Sequence, residues 1–258
     1  MGFVMKGMID GEWYPFFGIH SNRLAAPFGF NMYDYPVPEN FLILIIKIIS
    51  FISKDYTFVI NCFFVLTFVL ASLSFMYVAR YYKVPFLTSL MFSLLFTFLP
   101  YHLMRGIDHL FLAAYFLVPL TCLILVWIWS AKPIFFKRTA TSYQLDLLNY
   151  KSVFAVIVLL LAGGGGVYYV FFFAFFALIA GISAYFYRKN RYHLVSAMLL
   201  IAIISGSLFV NILPNVIYKI RFGENKQRKR CLRPENTPDN ISDRRSPDPG
   251  NGPDEAGI

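Results

Sequence analysis

Apolar and polar segments alternate along residues 57–218, and the apolar segments have the length of membrane-crossing helices. About 20 apolar residues span the roughly 30 Å hydrocarbon core of a bilayer as an α-helix. The pattern predicts six spans, which cover residues 57–79, 84–101, 109–130, 151–166, 167–187 and 193–215. The predicted fold class is therefore all-α, a polytopic transmembrane helix bundle of about six spans within a membrane domain at 57–218.

Positive charge falls on every second loop between the predicted spans. The loops after the first, third and fifth spans carry Arg80 and Lys83, then Lys132, Lys137 and Arg138, then Arg188, Lys189 and Arg191. The other two loops carry the single Arg105 and the neutral glycine run 163–166. Loops rich in Lys and Arg stay in the cytoplasm. We therefore expect residues 1–56, loop 100–109, the glycine run and the chain past Asn215 to lie outside, in a multi-pass protein of the inner (plasma) membrane.

Residues 1–56 form a predicted extracytoplasmic loop with one surface helix. The part before Asn40 is aromatic and rich in Pro and Gly, which disfavour a long helix. The apolar stretch 41–53 is short for a span and contains Lys47, so it is expected to lie along the membrane surface. Asn40 is suited to cap the start of this helix.

Composition supports the membrane assignment. The chain is 58% hydrophobic, 19% aromatic and 14% charged, with a mean hydropathy of +0.59, whereas a soluble domain is about a quarter charged. The net charge of +9 is explained mainly by the basic loops, so no nucleic-acid partner is expected. Three cysteines, one of them in the polar tail, indicate no disulfide framework.

Both ends of the sequence are unusual. The tail at 219–258 changes composition after Gln227 and becomes rich in Arg, Asp, Pro and Asn, which predicts disorder. The segment before the first span begins without a signal peptide, although it is expected outside. A further span before Met1, with this chain as a fragment, is the favoured interpretation; a short translocated N-terminal tail is the alternative.

Polar residues that could carry chemistry concentrate on the expected outer face, and few ionisable residues lie inside the spans, which disfavours a proton-coupled transporter. If helical, 101–109 places His102, Arg105 and His109 on one face, suited to a lipid-linked phosphate. An ordinary solvated loop is the alternative. Two imidazoles alone make a weak metal signal, so no metal site is assigned.

Two carboxylates flank a proline-stiffened segment just before the surface helix. Asp34 and Glu39 are placed to act as a general base or as ligands of a divalent cation. Alternatively, Asp34 forms a turn and Glu39 begins the helix. Tyr168 and Tyr169 follow the glycine run and suit either an interfacial aromatic belt or stacking on a sugar. The glycine run lacks the Lys-Ser/Thr of a phosphate-binding loop.

Three segments resemble bacterial integral-membrane glycosyltransferases of the GT-C class. They are LAAPFGFNMYDYPVPEN (24–40), PYHLMRGIDHLFLAAYFLVPL (100–120) and GGGGVYYVFFFAFFALIAG (163–181), and the resemblance covers about 20–215. The resemblance implies an active site on the outer face, a polyprenyl-phosphate-linked sugar as donor, and a catalytic carboxylate just after the first span. Asp10 stands near that place. The class's first span and the soluble domain that many members carry after the last span are absent from this sequence.

The resemblance leads to one expected function with two rivals. The first is transfer of a sugar from a polyprenyl-phosphate donor to an acceptor, with Asp34 or Asp10 as the catalytic carboxylate and His102, Arg105 and His109 on the phosphate. The second is a flippase or transporter of a lipid-linked sugar, and the third a non-catalytic membrane protein. The expected partners are the lipid bilayer and the lipid-linked sugar, and the cofactor stays open, with a divalent cation as one alternative.

Overall fold

The structure, a computed structural model, describes residues 2–11, 13–14, 18–21, 30–31, 39–106, 109–130, 134–138 and 143–222. Its helices are α1 Gly2–Asp10, α2 Asn40–Ile49, α3 Tyr56–Tyr81, α4 Phe86–Thr97, α5 Pro100–Arg105, α6 Leu110–Ala113, α7 Val118–Trp129, α8 Tyr150–Gly163, α9 Val167–Arg188 and α10 Arg191–Phe222. Its strands are β1 Trp13–Tyr14, β2 Gly18–Ser21, β3 Phe30–Asn31, β4 Phe136–Arg138 and β5 Tyr143–Leu145. The strands form two small antiparallel sheets, β1-β2-β3 and β4-β5. The described part of the chain is thus mainly helical, as predicted.

Four helices are long and apolar enough to cross a membrane: Tyr56–Tyr81, Phe86–Arg105, Val167–Arg188 and Arg191–Arg221. Most residues in their apolar windows are not buried inside the protein. Large apolar side chains such as Leu95, Phe171 and Phe186 point outward. An outward-facing apolar surface of this extent is suited to lipid rather than to water, so the prediction of a helical membrane protein is confirmed at this level.

The predicted count of about six spans is not confirmed by the helix lengths. The predicted span 109–130 is divided into α6 and α7, and α7 has 12 residues, or about 18 Å of rise. Helix α8 has 14 residues, or about 21 Å. Both are shorter than the hydrocarbon core. Prolines set several boundaries, since Pro85 precedes α4, Pro100 opens α5 and Pro119 lies in the first turn of α7.

The helix ends gather at two opposite ends of the bundle. Tyr81 at the end of α3 packs on Trp127 of α7, and Trp129 stacks on Tyr187 of α9. Arg188 also donates a hydrogen bond to the carbonyl oxygen of Trp129. The three loops predicted to be basic therefore meet at one end, here called the basic end. The glycine run 163–166 lies at the other end, here called the glycine end.

The first residues are more ordered than the predicted loop. Gly2–Asp10 form helix α1, because Met5, Met8 and Ile9 bury an apolar side in one cluster with Leu42 and Ile46 of α2. The predicted surface helix 41–53 is observed as Asn40–Ile49, followed by a turn. Its lysine, Lys47, donates hydrogen bonds to the carbonyl oxygens of Met8 and Ile9 in α1. The rest of the predicted loop falls largely outside the described residues.

Candidate functional site

The glycine run is the point where the surface helix α2 joins the membrane bundle. The backbone N–H of Phe41 donates to the carbonyl oxygen of Gly164 at 3.0 Å. A Cβ added to Gly164 would lie 3.0 Å from the Cβ of Phe41, and one added to Gly163 would lie 2.5 Å from the Cβ of Ser207 on α10. Gly166 has a φ of +134°, which only glycine adopts readily. The run therefore permits close backbone approach, the role that glycines at membrane depth allow.

An asparagine pair fixes the start of α2 on α10. Asn40 Nδ2 donates to Asn211 Oδ1 at 2.9 Å, and Asn211 Nδ2 donates to the carbonyl oxygen of Ser207 at 2.8 Å. The prediction that Asn40 caps α2 was wrong, because Glu39 is the N-cap residue and makes no side-chain cap bond. The Asn40 side chain instead spans the gap between two elements that are 171 residues apart in the chain.

A cavity of about 210 Å³ that contains a carboxylate and an imidazole opens beside this junction. It is lined by Glu39, His109, Leu110, Phe111, Leu112, Gly165, Gly166, Tyr168 and Tyr169. Tyr169 is held by a hydrogen bond from its hydroxyl to the carbonyl oxygen of Leu112 at 3.4 Å. The cavity thus brings together three residues predicted for the site, His109, Tyr168 and Tyr169, with a carboxylate that can exchange protons.

Burial alters the acid strength of that carboxylate. Desolvation raises the pKa of Glu39 to about 7, and a hydrogen bond from its own backbone N–H opposes the rise only in part. Among the described residues that line the cavity, none is a lysine or arginine that would stabilise the anion. Glu39 consequently changes its charge near neutral pH, which is the range in which a general base works best.

An apolar groove of about 700 Å³ adjoins the cavity. It runs between α2, α8 and α10, and its lining includes Phe41, Leu44, Leu160, Ile203 and Val210. Groove and cavity meet at consecutive residues, since Asn40 and Gly164 line the groove while Glu39 and Gly165 line the cavity. The cavity and the groove are therefore neighbours at the junction of α2 with the glycine run.

His102 lies away from this cavity. It is fully buried between α3 and α5, its ring stacks on Phe68 at 3.8 Å, and its ring nitrogens contact Thr67 Oγ1 at 2.9 Å and the carbonyl oxygen of Thr97 at 3.0 Å. Both nitrogens are thus engaged in the protein core. The structure gives this residue a packing role and leaves no ring nitrogen free for a phosphate.

The predicted helical face of 101–109 is interrupted. Helix α5 ends at Arg105 and is followed by Gly106, whose φ is +45°, while His109 is the N-cap residue of α6. Arg105 is half-buried and rests over the ring of Tyr101, with 5.3 Å from its Cζ to the ring centroid. Its carbonyl oxygen accepts the N–H of His109 at 3.1 Å, so the two residues stay close although they share no continuous helix.

Asp10, one of the two carboxylates predicted to be catalytic, is not among the residues that line the cavity. The other, Asp34, falls outside the described residues. Asp10 ends α1, where it pairs with Lys6 at 3.2 Å. Lys47 donates to the carbonyl oxygens of Met8 and Ile9, so the end of α1 rests near the far end of α2 from Glu39.

Glu39 lines the cavity, although the sequence favoured Asp34 or Asp10 as the catalytic carboxylate. Its position after two prolines and directly before an apolar helix was the available signal. Nothing in the sequence indicated that Asn211 would contribute, because a single asparagine in an apolar stretch does not reveal which residue it contacts. Among the described residues, no group of three or more His, Cys, Asp or Glu side chains could hold a metal ion.

These observations define a helical membrane protein with a partly buried carboxylate, Glu39, in a cavity at one end. No protein-family model, curated protein or solved structure matches the chain.

Proposed function

We propose that this chain is a membrane glycosyltransferase-like protein that transfers a sugar from a polyprenyl-phosphate donor to an acceptor at the outer face of the plasma membrane. The observation that carries the proposal is the position of the Glu39 cavity next to the apolar groove. A molecule with a polar head and a long apolar tail matches both chambers at once. Polyprenyl-phosphate sugars have this form, in agreement with the resemblance of the sequence to GT-C enzymes.

In this proposal the donor occupies both the groove and the cavity. The isoprenoid chain lies in the groove along α8 and α10, where aliphatic side chains replace lipid. The sugar enters the cavity, and Tyr168 and Tyr169 offer aromatic faces to its apolar C–H side. His109 and the neighbouring Arg105 serve as donors to the phosphate oxygens, Arg105 after leaving its position over Tyr101.

Glu39 acts as the general base in this proposal. Its carboxylate takes the proton of the acceptor hydroxyl as that oxygen attacks C1 of the sugar, and the bond between C1 and the phosphate oxygen breaks. Polyprenyl phosphate leaves with the electron pair, and hydrogen bonds from Arg105 and His109 stabilise its added charge. A base with a pKa of about 7 suits this proton transfer, since it is ionised at working pH and still basic.

Six membrane crossings and the outer location of the cavity belong to the same proposal. Helices α7 and α8 supply the third and fourth crossings, each completed by irregular chain at an end. With the basic end in the cytoplasm by the positive-inside rule, the glycine end faces outward. The cavity then opens at the surface where a lipid-linked donor presents its sugar.

The test of the groove uses Gly206, whose added Cβ would meet no atom within 4 Å. Gly206→Trp fills the groove, and Met198→Trp places the same side chain on an exposed position of α10 outside the groove lining. Binding of polyprenyl phosphate to the purified protein is measured by native mass spectrometry. We expect Gly206→Trp to weaken binding at least tenfold and Met198→Trp to leave it unchanged. Equal binding by both variants would contradict the proposal.

A transport function makes a different prediction for the same groove. A flippase requires the groove but not the base, so polyprenyl phosphate would bind, Glu39→Gln would be silent, and labelled lipid would cross the bilayer of proteoliposomes. Observation of that combination would favour the transporter over the transferase.

A further inference from the structure

The hairpin between α7 and α8 lies at the basic end and displays apolar side chains where a water-exposed loop would carry polar ones. Leu148 is 91% exposed, Leu147 52% and Leu145 59%. The three leucines lie within four residues, directly before α8 begins at Tyr150. A cluster of exposed leucines marks a surface that contacts lipid or another protein.

The depth of the hairpin indicates what covers it. The hydroxyl of Tyr150 hydrogen-bonds to that of Tyr77, which lies one helical turn inside the end of α3 at Tyr81. The start of α8 therefore lies beside the last turns of α3. Leu147 and Leu148 precede that start by three and two residues, so they lie near the level at which α3 ends.

Several polar backbone groups of the hairpin are hydrogen-bonded within the protein, so the hairpin can lie where little water is present. Asn149 Nδ2 donates to the carbonyl oxygens of Asp146 at 2.6 Å and Ile134 at 3.1 Å, and Ser152 Oγ donates to the carbonyl oxygen of Ile134 at 2.9 Å. The N–H of Asp146 bonds to the carbonyl oxygen of Phe135 at 2.8 Å. Irregular backbone is tolerated near hydrocarbon only when its polar groups are satisfied within the protein.

The charges around the hairpin complement a lipid headgroup layer. Lys137 is exposed and pairs in register with Gln144, so the two side chains share one face of the hairpin. Lys151 lies over the ring of Trp127. Asp146 is the single acid among the described residues 134–138 and 143–152. Basic residues beside a membrane attract anionic lipids.

We propose that residues 134–138 and 143–150 bind the anionic leaflet at the basic end, with Leu147 and Leu148 among the acyl chains and Lys137 at the headgroup phosphates. This binding surface is separate from the Glu39 cavity at the glycine end and does not depend on the proposed transferase activity. By the positive-inside rule, the leaflet is the cytoplasmic one.

The test compares two labelled positions of the full chain in lipid nanodiscs. Leu148→Cys and Gln144→Cys are each made in a background whose Cys62, Cys122 and Cys231 are replaced by alanine, and each carries an environment-sensitive fluorophore. We expect brominated acyl chains to quench the label at 148 at least twofold more than the label at 144, and aqueous iodide to quench in the reverse order. Iodide quenching at 148 as strong as at 144 would show a water-exposed loop and overturn the proposal. A label at 148 shielded from both quenchers would indicate a covering protein copy and would also overturn it.

The headgroup preference has its own readout. The same mole fraction of brominated chains is supplied on phosphatidylglycerol or on phosphatidylcholine, and quenching at 148 is compared. We expect at least twofold more quenching by the anionic lipid, and Lys137→Gln to remove most of the difference. Equal quenching by both lipids in the unsubstituted hairpin would contradict the anionic part of the proposal.

Discussion

The backbone N–H of Phe41 and the carbonyl oxygen of Gly164 are joined by a 3.0 Å hydrogen bond across 123 residues of sequence (164 minus 41). This bond fixes the first turn of the surface helix α2 against the turn between α8 and α9. Glu39 is carried with that turn to the edge of the cavity, beside Gly166. The position of the proposed base therefore depends on glycines that do no chemistry.

Gly163→Ala tests this close packing. The new methyl group would lie 2.5 Å from the Cβ of Ser207 and 3.0 Å from the carbonyl oxygen of Ile204. Overpacking of this kind costs about 1–3 kcal/mol, more than the roughly 1 kcal/mol that alanine gains over glycine in a helix. We expect a lower Tm for the detergent-solubilised protein. Gly206→Ala, which meets open space, is the matched control and should leave Tm unchanged or slightly raised.

The asparagine pair should show measurable coupling. Removing either amide in Asn40→Ala or Asn211→Ala leaves the other without its 2.9 Å partner. A double-mutant cycle on the free energy of unfolding should give a coupling of about 0.5–1 kcal/mol, as hydrogen bonds in membrane proteins do. Strictly additive effects of the two substitutions would contradict the contact.

The ionisation of Glu39 predicts a pH-dependent stability of definite sign. The pKa of this carboxyl is raised by burial from 4.5 to about 7, so the folded protein binds more protons than the unfolded chain between those values. Stability then falls as pH rises from about 4.5 to about 7 and levels off above. We expect Tm to decline over that window in the wild type, and Glu39→Gln to flatten the decline and raise Tm at pH 8. An unchanged pH profile in this variant would contradict the burial of the carboxylate.

Substitution of His102 should lower the stability of the fold, whereas substitution of Arg105 should weaken the binding of polyprenyl phosphate. His102→Ala removes a buried ring stacked on Phe68 and a hydrogen bond to Thr67, at a cost of about 2–4 kcal/mol. Arg105→Ala removes a half-buried side chain and should change Tm little. If Arg105 binds the phosphate, its loss should weaken polyprenyl phosphate binding about tenfold or more at unchanged Tm. A lowered Tm in Arg105→Ala, together with weakened binding at unchanged Tm in His102→Ala, would contradict the roles given to both residues.

Much of the membrane architecture follows from hydropathy and charge. Long apolar segments predicted α3 and α9 closely and most of α10, which continues to Phe222, since the lipid-facing side chains of a spanning helix must be apolar. The alternation of basic loops also corresponds to the two ends of the bundle. The divisions around Pro100 and residues 114–117 were not predicted, because an apolar window does not distinguish one long helix from two short ones.

The site was predictable only in part. His109, Tyr168 and Tyr169 were found because polar and aromatic residues at an expected outer face are unusual enough to notice. The pairing of His102 with Thr67 and of Asn40 with Asn211 depends on tertiary packing, which spacing along the chain does not encode. The same holds for Glu39, whose altered pKa arises from burial by elements far away in sequence.

The most direct measurement is the rate of sugar transfer by wild type and Glu39→Gln across pH 5 to pH 9. A panel of radiolabelled polyprenyl-phosphate sugars supplies donors, and water-soluble and lipid-bound products are counted after incubation with the reconstituted protein and envelope lipid acceptors. We expect a wild-type rate that rises through about pH 7, as the Glu39 carboxyl loses its proton, and no transfer by Glu39→Gln at any pH. Transfer by Glu39→Gln at the wild-type rate, or its loss in Asp10→Asn instead, would contradict the assignment of Glu39 as the base.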